Sequence, residues 1–189
     1  MLAEDEAIIR LDLKETLEEE GYEVVGETGR GDEAVALARE IKPDLAILDI
    51  KMPGLDGLEV ARELTRDRVC AVLILSAFSQ RDLIERARDA GALAYLVKPF
   101  QRSELVPAVE VAIGRFRELR ALTELTESLE EQLATRKVID RAKGLLIDTY
   151  GLSESDAFSF IQHTAMSERA TMQSVAERVL AGELRPEGL

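Results

Sequence analysis

The sequence predicts an α/β chain: a five-stranded, doubly wound parallel sheet, followed by a long helix with a short coiled coil and a three-helix all-α domain. Three observations carry this. Apolar runs of strand length alternate with amphipathic helical stretches through roughly the first 110 residues, the pattern of βα units in a parallel sheet. Two of the runs, residues 45–48 and 69–75, are of strand length and end at a polar residue, and the second is continuously apolar over seven residues, as a strand covered on both faces is. Beyond Ser103 helical periodicity takes over and the strand pattern does not recur.

Met1-Leu2-Ala3 reads as a short buried strand that runs into Glu4, Asp5 and Glu6. Ile8, Ile9, Leu11, Leu13 and Leu17, with acidic residues 18–20 on the polar side, give the first helix, which Gly21 closes. Residues 22–27 read as the second strand, and residues 32–41 as a helix N-capped by Asp32 and stopped before Pro43. The third strand ends at Asp49, where the Pro/Gly loop of residues 51–57 stops it. A helix over 58–65 leads to the strand that ends at Ser76. A helix over 81–90, with Gly91 at its C-cap, precedes a fifth strand over 93–97, which runs into Lys98-Pro99-Phe100.

Ser103 is placed to cap the next helix, with Pro107 tolerated near its first turn. Leu119, Leu122, Thr126, Leu129 and Leu133 then recur at alternating three- and four-residue steps, a coiled-coil seam of about two heptads. Such a seam is marginal alone, so its pairing is conditional. Three more helices follow, over 136–150, 153–165 and 171–180, with breaks at Gly151/Ser153 and at 167–171. The expected division is therefore 1–118 for the α/β domain, 119–133 for a coiled-coil linker, 134–180 for the helical domain and 181–189 for a frayed polar tail.

With 189 residues, 46% of them hydrophobic, the chain should fold as one or two domains. Its net charge of −13 is unevenly spread. Residues 1–133 hold 29 acidic and 17 basic side chains, whereas residues 134–180 hold six of each. Nucleic acid is not expected on the first part, while the neutral last part can present a local basic face. Cys70 has no intrachain partner and sits in an apolar run, which suits a small buried hydrophobe in a reducing cytoplasm. No signal peptide is read and no apolar stretch approaches the roughly 18 residues of a membrane span, so the expected location is cytoplasmic, with no membrane partner.

In a parallel sheet the strand ends converge on one edge, so Glu4, Asp5, Asp49, Ser76 and Lys98 should meet there. Three carboxylates in one crevice repel each other, and a cation relieves the repulsion. Oxygen ligands with retained waters suit a hard divalent ion, Mg²⁺ above all. Phosphoryl transfer needs an in-line nucleophile and positive charge on the equatorial oxygens. Asp49 as nucleophile, Mg²⁺ and Lys98 as clamps and Ser76 as hydrogen-bond donor form a sufficient set, with an aspartyl phosphate as product. Each residue alone has a plainer reading: an acidic helix start for Glu4 and Asp5, a strand-end carboxylate for Asp49, a solvated lysine for Lys98. No general acid/base pair accompanies the cluster, so no enzyme activity is expected beyond the chain's own phosphoryl transfer and dephosphorylation.

The set Glu4-Asp5, Asp49 before Lys51-Met52-Pro53-Gly54, Ser76-Ala77 and Lys98-Pro99-Phe100 resembles the receiver domain of bacterial two-component response regulators, a flavodoxin-like fold, over residues 1 to about 118. The resemblance implies that Glu4, Asp5 and Asp49 hold Mg²⁺ together with the backbone carbonyl of Lys51, and that a sensor histidine kinase donates the phosphoryl group. It implies a cis peptide at Lys98-Pro99 and a switch aromatic at Tyr95, which turns inward as Ser76 moves toward the phosphate. The family usually has several apolar residues before the acidic pair, whereas three precede it here. Either the first strand is short or the start lies further upstream, and a short strand would hold the acidic pair weakly.

In the last third, Val138, Ile139, Ala142, Leu145 and Leu146 share one helical face, with Arg136, Lys137, Arg141 and Lys143 largely on the others. By itself this fits a solvated charged face. The run Ala134-x-Arg136-Lys137-Val138-Ile139-Asp140-Arg141-Ala142-Lys143-Gly144-Leu145-Leu146, then Ser153-x-x-x-Ala157-Phe158, Ala165 and Val175-Ala176, is similar to the ANTAR domain, a three-helix RNA-binding module found behind receivers. The resemblance implies binding of paired stem-loops in nascent transcripts and transcription antitermination. Candidate RNA contacts are Arg136, Lys137, Arg141, Lys143, Gly144 and Tyr150, then Gln162, Arg169 and Thr171. Ala142 and Gly144 of the Ala-Lys-Gly step permit either close helix packing or close approach of an RNA backbone. Tyr150 serves equally as a core-edge residue, Phe158 and Phe160 read as packing, and His163 as incidental. The expected function is a response regulator whose phosphorylation favours a homodimer through the leucine seam and so controls RNA binding. The alternative is a phosphorylation-switched protein-interaction module that never touches RNA.

Overall fold

The computed structural model describes residues 1–186. Its elements run β1 (Leu2–Ala3), α1 (Ala7–Glu19), β2 (Glu27–Thr28), α2 (Gly31–Ile41), β3 (Leu45–Asp49), α3 (Gly57–Arg66), β4 (Ala71–Ser76), α4 (Arg81–Asp89), β5 (Ala94–Val97), α5 (Arg102–Tyr150), α6 (Glu154–Glu168) and α7 (Met172–Leu180). The chain divides into two compact units at residues 121 and 122.

In the first unit all five strands are parallel, in the order β2-β1-β3-β4-β5. Alternation along β3 and β4 serves two faces at once. Ala46, Leu48, Val72 and Ile74 pack with Ala34, Ala38, Leu58 and Leu64 of α2 and α3, whereas Leu45, Ile47, Leu73 and Leu75 pack with Leu13 and Leu17 of α1 and Leu105 and Val109 of α5. Both faces being covered, the two strands read as unbroken apolar runs.

The structure departs from the local pattern of the sequence at several points. The second strand is expected over 22–27, yet only Glu27–Thr28 pairs, because β1 offers just Leu2 and Ala3 as partners. Met1 extends β1's hold through its ammonium on the Leu45 carbonyl at 2.9 Å and its own carbonyl on Ile47 N at 3.0 Å. Asp32 does not cap α2: the helix starts one residue earlier, and Asp32 in its first turn binds Arg30 instead. Gly31 docks against the loop, donating to the Pro53 carbonyl at 3.0 Å, where any Cβ would meet the Leu55 carbonyl. An unread signal opens α3, where Asp56 and Glu59 form a reciprocal capping box at 2.8 and 3.0 Å. Ser103 lies inside α5 rather than at its cap.

Cys70 is fully buried, and burial pushes its thiol up to about 11. The folded chain therefore holds this proton more tightly than the unfolded one. The resulting stability is fully present below the ordinary value of 9 and is lost as pH rises toward 11. A thiol-reactive disulfide reagent is expected to leave the native chain untouched near neutral pH and to label it fully in denaturant; rapid native labelling would contradict this burial.

In the second unit the end of α5 packs with α6 and α7 around Ala142, Leu146, Ala157, Ile161, Ala165, Val175, Ala176 and Val179. The linker helix and the first helix of this domain are one element, since nothing between Leu133 and Arg136 interrupts α5. Ser153 caps α6 by accepting from Asp156 N at 3.1 Å, and Thr171 caps α7 by accepting from Ser174 N at 3.2 Å. The seam leucines Leu119, Leu122, Leu129 and Leu133 are all more than half exposed. Of the expected tail, residues 187–189 lie outside the described residues. No helix among the described residues is long and apolar enough to cross a membrane.

Candidate phosphoacceptor site and basic helix

The register of the sheet places the polar residues. Asp49 pairs with Leu75 and Ser76 with Val97, so β4 and β5 end level and β3 one residue short of them, and Glu4 and Lys98 follow directly on β1 and β5. Gly57 lets the loop after Asp49 fold back on the strand end: it donates to the Ile50 carbonyl at 2.9 Å, and a Cβ there would stand 2.0 Å from the Asp49 carbonyl.

Lys98 is the hub of the site. Its ammonium lies 2.5 Å from Glu4 Oε2 and 2.9 Å from Asp49 Oδ1, while Asp49 Oδ2 accepts from the Lys51 backbone N–H at 3.1 Å. Glu4, Asp49 and Ser76 are buried and Asp5 is exposed. Carboxylate oxygens of Glu4, Asp5 and Asp49 all lie within 4.8 Å of one another. Burial above all, with Asp49 nearby, pushes the Glu4 carboxyl up, against the downward pull of the Lys98 hydrogen bond. For Lys98 burial acts downward, and the hydrogen bonds to Glu4 and Asp49 together with the negative charges of both outweigh it, leaving the ammonium above its ordinary value. The Lys98 ammonium thus meets two carboxylates, and Asp5 adds a third within 4.8 Å of them. Oxygen-only donors with a surplus of negative charge fit a hard divalent cation.

The peptide between Lys98 and Pro99 is cis. The loop after β4 links the remaining groups through Phe78, a residue the sequence reading passed over. Its backbone N–H donates to Ser76 Oγ at 3.1 Å, its carbonyl accepts from the Tyr95 hydroxyl at 2.6 Å, and its ring lies 4.6 Å from the Lys51 ammonium. Sequence spacing alone does not reveal this bridge, because it joins the loop after β3, the end of β4 and its following loop, and strand β5.

In the second unit the residues expected to face RNA fall into separate groups. Arg136, Lys137, Arg141, Gln162 and Arg169 are exposed. Lys143 is mostly covered and is held by Asp140 at 2.9 Å and Glu154 at 3.0 Å, where it ties α5 to α6. Tyr150 lies against the core, Thr171 is occupied as the α7 cap, and Arg169 closes α6 in the left-handed conformation at φ 53°. A Cβ on Gly144 would meet nothing, so helix packing does not require this glycine. Phe160 packs as expected, but Phe158 does not: it is 41% exposed.

Comparison with known proteins agrees with this two-part layout. Residues 1–110 match the response regulator receiver domain and residues 127–180 the ANTAR domain. The transcriptional regulatory protein PdtaR of Mycobacterium tuberculosis is 58% identical over 180 residues, which span 95% of this chain and 88% of PdtaR. The chemotaxis protein CheY of Thermotoga maritima is 37% identical over 110 residues, 58% of this chain and 92% of CheY. Among solved structures, a CheX–CheY–BeF3–Mg²⁺ complex from Borrelia burgdorferi is similar with a TM-score of 0.54 and 26% identity, over 57% of this chain and 83% of that one. The chain belongs to the response regulators that carry an N-terminal receiver domain and a C-terminal ANTAR output domain.

Proposed function

We propose that this chain is a transcription antiterminator in which phosphorylation of Asp49 by a sensor histidine kinase controls RNA binding by the ANTAR domain. The observation that carries this is the Lys98 ammonium set between Glu4 and Asp49 at the sheet edge, in a chain whose other unit is an output domain. Asp49 is the nucleophile, oriented by Lys98 on one oxygen and by the Lys51 N–H on the other. Its attack on phosphorus displaces the kinase imidazole, and Lys98 and Ser76 take up charge on the phosphoryl oxygens. Glu4, Asp5, Asp49 and the Lys51 carbonyl would hold Mg²⁺, which supplies further charge neutralisation when bound. The solved CheY complex similar to this receiver contains Mg²⁺ and BeF3, in keeping with that assignment.

Residues 1–118 act as the receiver, 119–133 as the pairing linker and 134–180 as the RNA-binding domain. Phosphate at Asp49 draws Ser76 toward it, frees the Phe78 loop and lets Tyr95 turn inward, which changes the receiver surface. Pairing of two chains through the exposed Leu119–Leu133 seam follows, and bivalent contact supplies affinity that one electrically neutral module lacks. The name of PdtaR, a transcriptional regulatory protein, supports an output on transcription.

The test is binding of the full-length chain to an RNA with two adjacent stem-loops, with and without an acyl-phosphate donor and Mg²⁺, and with duplex DNA as control. Tighter RNA binding on phosphorylation, with affinity falling steeply as salt rises, is the expected result. Absence of RNA binding in both states would shift the output to a protein partner.

A further inference from the structure

The second unit holds an aromatic ring that its own core does not use. Buried residues on α6 recur every four positions, at Ala157, Ile161 and Ala165. Phe158 stands one position off that line and remains 41% exposed, whereas Tyr150 and Phe160, the unit's other aromatic residues, lie against the core. Phe158 is one wall of a groove of about 540 Å³, within the ~300–1,000 Å³ span of small-ligand clefts. Ile139 adds apolar surface to it, Gln132 adds an amide, and Thr135 adds a hydroxyl that donates to Gln173 Oε1 at 2.9 Å and so can only accept from a ligand.

The groove has no net charge: Arg136 and Lys143 are balanced by Glu131 and Asp140, and Lys143 is already tied to Asp140 and Glu154. Such a groove is poorly suited to phosphate. A flat apolar ring beside hydrogen-bonding groups is instead what an uncharged nucleobase seeks. The positive charge that phosphates need stands elsewhere on α5, on Lys137 and Arg141, which are exposed and one helical turn apart. Gly144, three residues further on, leaves the surface there open.

We propose that this groove takes one unpaired base of a bound RNA loop, stacked on Phe158, while Lys137 and Arg141 hold the flanking phosphates. The inference rests on the RNA-binding reading above and adds to it the site at which a base is read. Stacking tolerates any base, so preference among bases comes from the Gln132 amide, whose oxygen accepts and whose nitrogen keeps a second N–H beside the one directed at Ser128 Oγ at 3.4 Å.

The experiment uses the full-length chain and a two-stem-loop RNA in which each loop nucleotide in turn is replaced by 2-aminopurine or by an abasic residue. One loop position is expected to show fluorescence quenched on binding, and removal of that base weakens binding roughly 5- to 150-fold, the range of one base–aromatic stack. Phe158→Ala shows the same loss, abolishes the quench and costs nothing further on the abasic RNA, while Phe158→Tyr restores both. If Phe158→Ala melts early, Phe158→Leu keeps the apolar volume without the π-face and is read in the same way. Wild-type affinity in these variants overturns the inference and leaves RNA binding standing, whereas no RNA binding by the wild type overturns both. Weakened self-association with unchanged affinity of the dimer for RNA assigns the ring to an interface between copies and overturns the inference as well.

Discussion

A chain carrying Asp49→Asn is expected to take up no phosphoryl group from an acyl-phosphate donor and Mg²⁺, and its RNA affinity no longer responds to that donor. An asparagine amide keeps the shape of the side chain but offers no nucleophilic carboxylate. The fold survives the change for an electrostatic reason. Glu4 and Asp49 compete for one ammonium, so neutralising Asp49 relieves a repulsion and leaves the 2.5 Å contact between Lys98 and Glu4 in place. Urea unfolding should therefore show a variant at least as stable as the wild type, which separates loss of chemistry from loss of structure. Intact-protein mass measurement reads phosphorylation directly. A phosphoryl increment on the Asp49→Asn chain would move the nucleophile to another carboxylate, with exposed Asp5 in the same cluster as the first candidate.

Much of this was legible in the sequence because the informative signals are local. The apolar runs that end at Asp49 and Ser76 locate both residues at strand tips, and parallel pairing then brings Lys98 beside them without further information. What stayed illegible depends on contacts between distant segments. The length of β2 follows from the two residues of β1 that pair with it, and the start of α2 from the way Gly31 docks on the loop after β3. The engagement of Lys143 with Glu154 needs α6 folded against α5, so charge on the sequence could not tell it from freely exposed Arg141. Phe158 is a different kind of miss: the four-residue recurrence of Ala157, Ile161 and Ala165 was present in the sequence and already left Phe158 outside the buried line.

Removing Lys98 should have the largest effect on stability at the sheet edge. Its side chain is 13% exposed and touches Glu4 at 1% and Asp49 at 9%, so Lys98→Met leaves two covered carboxylates without their cation. Deleting one partner of a buried ion pair costs about 3–5 kcal/mol. The loss has a definite pH dependence. The Glu4 carboxyl lies above its ordinary value of 4.5 in the folded chain, through burial first, so the native state holds this proton more tightly than the unfolded state. The associated stability is fully present below 4.5 and is lost as pH rises through the folded value. Lys98 lowers that folded value through its hydrogen bond, and methionine removes the pull, so the window over which stability falls extends further upward in the variant. Urea midpoints should consequently drop more steeply between mildly acid and neutral pH for Lys98→Met than for the wild type. Mg²⁺ provides the complementary test: if Glu4, Asp5 and Asp49 hold the cation it would restore the missing charge, and at about 100 times its dissociation constant the linkage would recover about 2.7 kcal/mol. A variant as stable as the wild type at neutral pH without Mg²⁺ would show that the lysine charge does not hold the acidic pair together. The role of Lys98 would then be confined to the phosphoryl group itself.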